Sequence, residues 1–267
     1  MAAISASMVK ELRDRTGVGM MDCRKALETA GGDMELAIEH LRKAGIAKAA
    51  TKAGRTAKEG RLVNLIRDGS GVLAEILCET DFVAKTNEFQ GFAAAVAEKA
   101  LTGSDADGDI SAPFGDSIRD TLNALIGKIG ENMQVRRVLR WKAAGQLGAY
   151  LHLGGKIGVM VEVEGTAEKA LIADICMHIA AFSPRYIVPA DVPADVMAKE
   201  KEIAAAQVQG KPANIVDKIV LGKINKWYTE VCLTQQPWIR DDKTCLAKVA
   251  PQVTVKRFVR WQVGESL

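Results

Sequence analysis

Apolar residues in the first 47 positions recur at helical spacing and are interrupted by glycines. Val9 and Leu12 share one face of a first helix, which a serine at position 5 or 7 can cap. A second helix begins near Met20, and a third, capped by Asp33, is expected to end at Gly45. The pattern predicts a three-helix module whose core is too small for independent stability, so we expect it to dock on another surface.

Alternation of apolar and polar residues then predicts strands. The segments 61–67 and 72–78 flank Asp-Gly-Ser-Gly and form a predicted hairpin. Further strands are predicted at 134–142, 147–153, 156–163 and 253–263. An amphipathic helix follows the second strand of each hairpin. The polar stretch 102–113 is expected to be a loop, followed by a helix that ends near residue 129.

The sequence of one predicted strand is echoed later in the chain. Gly71-Val-Leu-Ala-Glu-Ile resembles Gly158-Val-Met-Val-Glu-Val. Each copy is the second strand of a predicted hairpin and precedes an amphipathic helix. This echo indicates two related halves, each built from a sheet and a helix.

The segment 188–228 has a helical pattern again. One charged helix runs from Ala194 to about Gln209, and a second runs from Ala213 to Tyr228. Gly-Lys-Pro at 210–212 separates them, so the segment is predicted to form an antiparallel helical hairpin. Because a strand is predicted after it, the hairpin is an insertion into the second half.

These elements predict an α+β fold with an N-terminal three-helix module. Two related antiparallel-sheet-plus-helix subdomains follow, and the second contains the inserted helical hairpin. The expected domains are the module with a basic tether (1–55), the first core subdomain (56–140), the first part of the second (141–187), the hairpin (188–228) and the return strand (229–267).

Composition places the chain among soluble globular proteins, since 48% of its 267 residues are hydrophobic and 26% are charged. The net charge of +3 is close to balance and does not indicate a nucleic-acid-binding domain. Seven basic residues and one acid between 41 and 61 predict a solvated helix or tether. No stretch approaches the roughly 20 apolar residues of a membrane span, and no signal peptide is recognisable. We therefore expect a cytoplasmic protein with no membrane contact and five reduced cysteines.

Motifs for nucleotide, metal and covalent chemistry are incomplete. Gly155-Lys156 lacks the first glycine and the hydroxyl of a P-loop, and Gly69 and Gly71 open a strand instead of a helix. The sequence has no Cys-x-x-Cys and no His-Glu-x-x-His, and no motif pairs a cysteine with a histidine. We expect no catalytic residue, metal ligand or cofactor, and a protein that is not an enzyme.

The segment from Glu79 to Lys85 joins a strand to the following helix. On the ordinary interpretation Thr80 or Asp81 caps the helix, and Phe82 packs on the sheet together with its neighbour Val83. On the functional interpretation, an acid and an aromatic residue lie together at the end of a sheet, where loops present binding residues.

A second cluster lies between Arg13 and Arg24. Met20 and Met21 follow two glycines and begin the second helix. They either fill the core of the small module or form an adaptable docking surface.

These two clusters closely resemble the two sequence signatures of the elongation factor Ts family. One reads Leu-Arg-Asp-Arg-Thr-Gly-Val-Gly-Met-Met-Asp-Cys-Arg-Lys-Ala-Leu at 12–27, and the other reads Glu-Thr-Asp-Phe-Val-Ala-Lys at 79–85. The similarity continues through Tyr-Leu-His-Leu-Gly-Gly-Lys-Ile-Gly at 150–158, the helical hairpin, and Leu-Thr-Gln-Gln-Pro-Trp at 233–238. It covers almost the whole chain.

The resemblance implies a guanine nucleotide exchange factor that binds elongation factor Tu and promotes GDP release during translation elongation. In this family the N-terminal module resembles ubiquitin-associated domains and docks on the GTPase domain of the partner. The positions that match partner contacts are Arg13, Met20, Met21, Arg24 and His152. The positions that match the segment displacing the partner's magnesium ion are Thr80, Asp81, Phe82 and Val83. The family's hairpin is a dimerisation or coiled-coil element, so a homodimer through 188–228 is a further expectation.

An RNA-binding module is the alternative from another class. It would use the basic run at 41–61 and the basic and aromatic residues at 136–142 and 256–261. A solvated tether and outer strand faces account for the same residues, so we expect no direct nucleic-acid contact. A metal or thiol enzyme would need residue spacings that the sequence lacks.

Overall fold

The computed structural model describes residues 4–208 and 213–266. Helices and antiparallel strands are both present, which confirms the α+β class. The turn predicted at 210–212 lies outside the described residues. Across the described ranges every helix is too short or too polar to cross a membrane. The chain divides into two compact units: unit 1 comprises Met1–Val63, Val72–Trp141 and Gln262–Leu267, and unit 2 comprises Asn64–Gly71 and Lys142–Trp261.

Unit 1 begins with the predicted helices α1 (Ala6–Thr16), α2 (Met20–Thr29) and α3 (Met34–Lys52). Ser5 caps α1 by accepting the backbone N–H of Met8, at 3.2 Å. Asp33 caps α3 by accepting a backbone N–H at 2.9 Å. Gly17 ends α1 with a φ of 67°, a conformation that favours glycine. The small core beneath these helices contains Val9, Leu12, Cys23, Ala26, Leu27 and Ala37.

The third helix does not end at Gly45, so that prediction was wrong. It continues to Lys52 because Gly45 packs against α6 (Ser111–Ile129), where a Cβ atom at Gly127 would lie 3.1 Å from the Gly45 Cα. A glycine that ends a helix in an isolated sequence here permits close packing of two helices.

The basic run at 41–61 was predicted as a solvated helix or tether. Its first part is a helix with exposed basic side chains, and one face of this helix also packs against α6. Arg42 pairs with Asp120 of α6, and Lys48 pairs with Asp22 of α2 at 2.8 Å. The last lysine of α3 donates to the carbonyl oxygen of Gly130. Much of the positive charge is therefore compensated locally.

Most of a sheet with the strand order β1-β2-β4-β3 belongs to unit 1. Its strands are β1 (Glu59–Arg67), β2 (Ser70–Cys78), β3 (Gly108–Asp109) and β4 (Met133–Lys142). The turn between β1 and β2 has positive φ angles at Asp68 (51°) and Gly69 (71°), as a tight hairpin requires. The short helix α4 (Asp81–Ala84) and the helix α5 (Asn87–Thr102) follow β2. The predicted loop at 102–113 contains β3 and the start of α6, so it is more ordered than its polar composition indicated.

Unit 2 contains a second antiparallel sheet with the order β5-β6-β9. Its strands are β5 (Gln146–His152), β6 (Ile157–Glu164) and β9 (Thr254–Gln262), and the helix α7 (Lys169–Phe182) follows β6. The predicted apolar face of α7 is buried, with Ile172, Ile175, Cys176 and Ile179 in the core. In both sheets the echoed strand lies between its hairpin partner and a later strand.

The helical hairpin is present as α8 (Ala194–Ala206) and α9 (Ala213–Val231). Tyr228 donates its hydroxyl to Met197 Sδ at 3.8 Å, and Lys223 donates to Gln207 at 2.5 Å, so the two helices contact each other. Besides β3, the short elements that were not predicted include a 3-10 helix (Pro189–Asp191), β7 (Pro237–Trp238), β8 (Asp241–Cys245) and α10 (Leu246–Val249).

A buried glutamate stands at the same place in each echoed strand. Glu75 on β2 is fully buried and accepts from Arg137 Nε at 2.6 Å and from the backbone N–H of Gly264 at 2.8 Å. Glu162 on β6 is 6% exposed and accepts from Arg257 Nε at 2.7 Å. Each arginine comes from the neighbouring strand, β4 or β9, which supports two related halves.

Candidate functional site

Phe82 lies on the surface of α4, and 78% of the residue is exposed. Thr80 caps this one-turn helix, because its hydroxyl accepts the backbone N–H of Val83 at 3.4 Å. Ala84 faces inward and is buried, whereas Val83 is half-buried. Thr80 is a cap as predicted, but of the separate turn α4, whereas Thr86 caps the amphipathic helix α5. The interpretation that Phe82 packs on the sheet was wrong.

Charged groups flank the exposed ring. Lys85 Nζ lies 2.6 Å from Asp81 Oδ2 and 5.9 Å from the centroid of the Phe82 ring. The ion pair spans one helical turn, and the side chain of Asp81 is 44% exposed. An apolar ring is thus presented to solvent with a carboxylate and an ammonium group beside it.

The backbone before α4 is held by a glutamate that sequence reasoning did not find. Glu131, in the turn after α6, accepts the backbone N–H groups of Glu79 and Thr80 at 3.1 and 3.0 Å. Its other oxygen accepts the Thr80 hydroxyl at 2.6 Å. No local signal in the sequence links these residues, because more than 50 positions separate them.

The second predicted cluster is also exposed. Met20 and Met21 open α2 with exposed fractions of 55% and 65%, so they do not fill the core of the module. Arg24, one turn later, is exposed and pairs with Glu28 at 2.9 Å. Arg13 lies on the exposed face of α1. Of the two alternatives for the methionines, the structure therefore favours a surface role.

His152 belongs to unit 2 and ends β5. Its ring is exposed, and Nδ1 lies 3.0 Å from the Tyr150 hydroxyl. The next residue, Leu153, is 68% exposed and has a φ of 50°, which places a bare apolar side chain at the tip of the β5–β6 hairpin. Sequence reasoning did not select Leu153, although a leucine beside glycines in a hairpin turn is an available signal.

Two of the buried thiols are poorly suited to covalent chemistry. Burial raises the pKa of Cys176 to about 12, and burial together with Asp191 raises the pKa of Cys232 to about 11. Because the thiolate is the nucleophilic form, these two cysteines are unreactive at neutral pH. Within residues 4–208 and 213–266, no three His, Cys, Asp or Glu side chains are grouped as a metal site requires.

Exposed apolar residues beside charged groups are typical of protein-binding surfaces, and each of the two units presents one: Phe82 on α4 of unit 1 and Leu153 at the hairpin tip of unit 2. Comparison with known proteins specifies the family. The family model of elongation factor Ts matches residues 79–265. The chain therefore belongs to the elongation factor Ts family, whose members are translation elongation factors.

Curated relatives share this similarity over nearly the full chain. Elongation factor Ts of Thioalkalivibrio sulfidiphilus is 49% identical, over 99% of this chain and 93% of its own length. The factors of Nautilia profundicola and Alcanivorax borkumensis are each 46% identical, over 100% and 97% of this chain and 95% and 94% of their own lengths. These alignments include the N-terminal helices, which precede the residues that the family model matches.

Proposed function

We propose that this chain is a guanine nucleotide exchange factor that binds elongation factor Tu and promotes GDP release, so that GTP can be reloaded during translation elongation. The observation that carries the proposal is the position of Phe82, an aromatic ring 78% exposed on a capped helical turn. A ring exposed in this way contributes little to the stability of its own fold and is available to a partner.

The exposed ring suits a wedge mechanism. A GTPase holds its nucleotide through Mg²⁺ and through backbone amides around the phosphates. Insertion of Phe82 between partner helices, with Thr80, Asp81 and Val83 beside it, would shift these ligands and displace the partner's magnesium ion. Packed interfaces have discrete arrangements, so a small insertion can produce such a change. Exchange factor and nucleotide then weaken each other's binding by equal factors, without any covalent step.

The other predicted partner contacts lie on other elements, α1, α2 and β5. We assign docking on the GTPase domain to the N-terminal module through Arg13, Met20, Met21 and Arg24, and a further partner contact to His152. The five segments take separate roles in this proposal: docking (1–55), core (56–140, 141–187 and 229–267) and self-association (188–228).

The cytoplasm is the expected compartment. The five cysteines are all among the described residues, and no disulfide joins them.

The proposal includes no nucleic-acid contact. The arginines that favoured RNA binding are engaged: Arg136 and Arg137 contact Glu75, and Arg257 contacts Glu162. In the basic run, Arg42 and Lys48 also have acidic partners. Binding of phosphates would have to compete with these ion pairs.

Release of fluorescent GDP from elongation factor Tu, with and without this protein, tests the proposal. We expect acceleration by the wild type and a loss of about 30-fold in the Phe82→Ala variant, which is the effect of a residue contributing about 2 kcal/mol to an interface. Asp81→Ala should also slow release. Val249→Ala removes a different exposed apolar side chain and should match the wild type. If the wild type does not accelerate release, the function is refuted. If the wild type accelerates release and both Phe82→Ala and Asp81→Ala accelerate it equally well, the site assignment is refuted and the function is not.

A further inference from the structure

The turn after α6 contacts the segment that carries Phe82 through both oxygens of one carboxylate. Glu131 Oε2 accepts the backbone N–H groups of Glu79 (3.1 Å) and Thr80 (3.0 Å), and Oε1 accepts the Thr80 hydroxyl (2.6 Å). Hydrogen bonds to an ionised acceptor are stronger than neutral ones, and three of them converge here on two consecutive residues.

The contact is reciprocal. Glu79 Oε1 accepts the backbone N–H of Asn132 at 2.6 Å, so each segment presents a carboxylate to the backbone of the other. Asn132 is 2% exposed and donates its side-chain amide to the carbonyl oxygen of Arg55 at 2.7 Å. We call Glu79, Glu131 and Asn132 the carboxylate clamp. Through Arg55 the clamp also reaches the chain just after α3.

The helix that bears Phe82 needs such support. It is a single turn of four residues, and a turn of this length is not stable by itself in water. Phe82 cannot anchor it by burial, because its ring faces solvent. Besides the Asp81–Lys85 ion pair, its constraints include the buried Ala84 and the cap residue Thr80, whose own backbone and hydroxyl are held by Glu131.

We propose that Glu131 is a positioning residue for nucleotide exchange. It fixes Thr80, and through Thr80 it holds Phe82 in the orientation for insertion before the partner arrives. The segment that carries Phe82 then loses its conformational entropy during folding and not during the exchange step. Glu131 contacts the backbone and the cap and acts on the partner only through them. The inference rests on the proposed role of Phe82.

Kinetics with three substitutions at this position test the role. GDP release from elongation factor Tu is measured over a range of exchange-factor concentrations, which separates the maximal rate from the half-saturating concentration. Glu131→Ala should lower the maximal rate about tenfold, as loss of charged hydrogen bonds worth about 1.4 kcal/mol would. The half-saturating concentration should change less than the maximal rate, because the docking surface on α1 and α2 is intact.

The conservative variants separate positioning from general destabilisation. Glu131→Gln keeps an oxygen for the two amides and a donor for the hydroxyl, so it should recover most of the maximal rate. Glu131→Asp keeps the charge but is one methylene shorter, so it should remain slow. Asp116→Ala removes an exposed carboxylate of α6 that pairs with Arg119 of the same helix, and it should match the wild type.

Amide hydrogen exchange in the isolated protein reports on the clamp directly. The amides of Glu79 and Thr80 should exchange about tenfold faster or more in Glu131→Ala, with little change in the sheet. If the wild type accelerates GDP release and both Glu131→Ala and Glu131→Asp reach its maximal rate, the positioning role is refuted and the proposed function stands. If the wild type itself does not accelerate release, the proposed function is refuted and the positioning role with it.

Discussion

Gly127 of α6 lies so close to Gly45 of α3 that a Cβ atom at Gly127 would come within 3.1 Å of the Gly45 Cα. The neighbouring atom is backbone, so no side chain can rotate away to make room. A Cβ atom at Gly45 would meet only the carbonyl oxygen of Asn123, at an ordinary 3.6 Å. The two glycines face each other, but only one of them is sterically required.

Alanine at these two positions should therefore change the free energy of unfolding in opposite directions. Gly127→Ala should lower the free energy of unfolding by about 1 kcal/mol, since overpacking by roughly 1–3 kcal/mol exceeds the gain in helix propensity. Gly45→Ala should raise it by about 0.5–1 kcal/mol, because alanine is the better helix former and meets no clash. Urea unfolding of both variants measures the difference, and equal shifts would contradict the packing described.

Glu162 depends on Arg257 for charge compensation inside unit 2. Burial opposes its ionisation, but the guanidinium and the backbone N–H groups of Gly145 and Ala144 outweigh it, so the pKa of Glu162 is lowered. Arg257→Met should cost about 3 kcal/mol, because it leaves a buried carboxylate without its partner. Adding Glu162→Gln to Arg257→Met should recover part of the loss in chemical denaturation. Independent, additive effects of the two substitutions would show that the pair is not coupled.

His178 should make stability fall in mild acid. Its ring is fully buried between Phe182 and Trp238, and Nε2 lies 3.0 Å from Gln236 Oε1. The other nitrogen has no hydrogen-bond partner among the described residues. Burial lowers the pKa of His178 below 6.5, against the raising effect of Gln236.

The folded state therefore binds fewer protons than the unfolded state. The contribution of His178 to stability is fully present above pH 6.5 and is lost as the pH falls toward the folded-state pKa. Urea unfolding at a series of pH values below 7.5, followed by tryptophan fluorescence, should show the decline. His178→Gln should flatten it, whereas the variant of an exposed histidine, His40→Gln, should not. An unchanged slope in His178→Gln would show that other groups cause the decline.

Thiol labelling should select one cysteine. Cys245 is half-buried, and the other four cysteines are buried. Because burial raises the pKa of Cys176 and Cys232, the thiolate of each is scarce at neutral pH. Iodoacetamide should modify Cys245 of the native protein at least about 100-fold faster than these two, as judged by peptide mass. Cys245→Ser should remove the fast label, and urea should expose all five sites. Fast labelling of Cys176 would contradict its burial.

The helical hairpin should mediate self-association. Ile203 of α8 and Leu221 of α9 are 48% and 61% exposed, so the hairpin presents apolar side chains to solvent. We expect sedimentation of the wild type at a mass near that of two chains. Leu221→Glu should shift it toward one chain, because a buried charge would oppose contact between copies. Lys218→Glu, a charge change on the same helix, is the control. A monomeric wild type would refute the dimer.

Local chemistry explains which elements could be predicted from sequence. The caps Ser5 and Asp33, the Asp68-Gly69 turn and the alternating strands depend on neighbours within a few residues, and the structure contains them. Gly45 was misinterpreted because its environment is α6, a helix far along the chain. A glycine that ends a helix and a glycine that permits helix packing have the same local sequence.

In the candidate site, too, some residues could be predicted from the sequence and others could not. Resemblance to a family selected Phe82, but only the fold shows that the ring is exposed. Glu131 could not be found, because its partners Glu79 and Thr80 are brought to it by the sheet. A carboxylate that binds backbone amides cannot be recognised from the local pattern of apolar and polar residues.

The buried Glu75 also has a consequence for synthesis of the protein on the ribosome. The backbone N–H of Gly264, which donates a hydrogen bond to Glu75, lies 189 residues later in the chain. At about 5–20 residues per second, roughly 10–40 s pass between the translation of the two residues. All of the segment Lys142–Trp261 in unit 2 is made in that interval. Unit 1 therefore completes the polar contacts of its interior only after unit 2 has emerged, although its first residues leave the ribosome first.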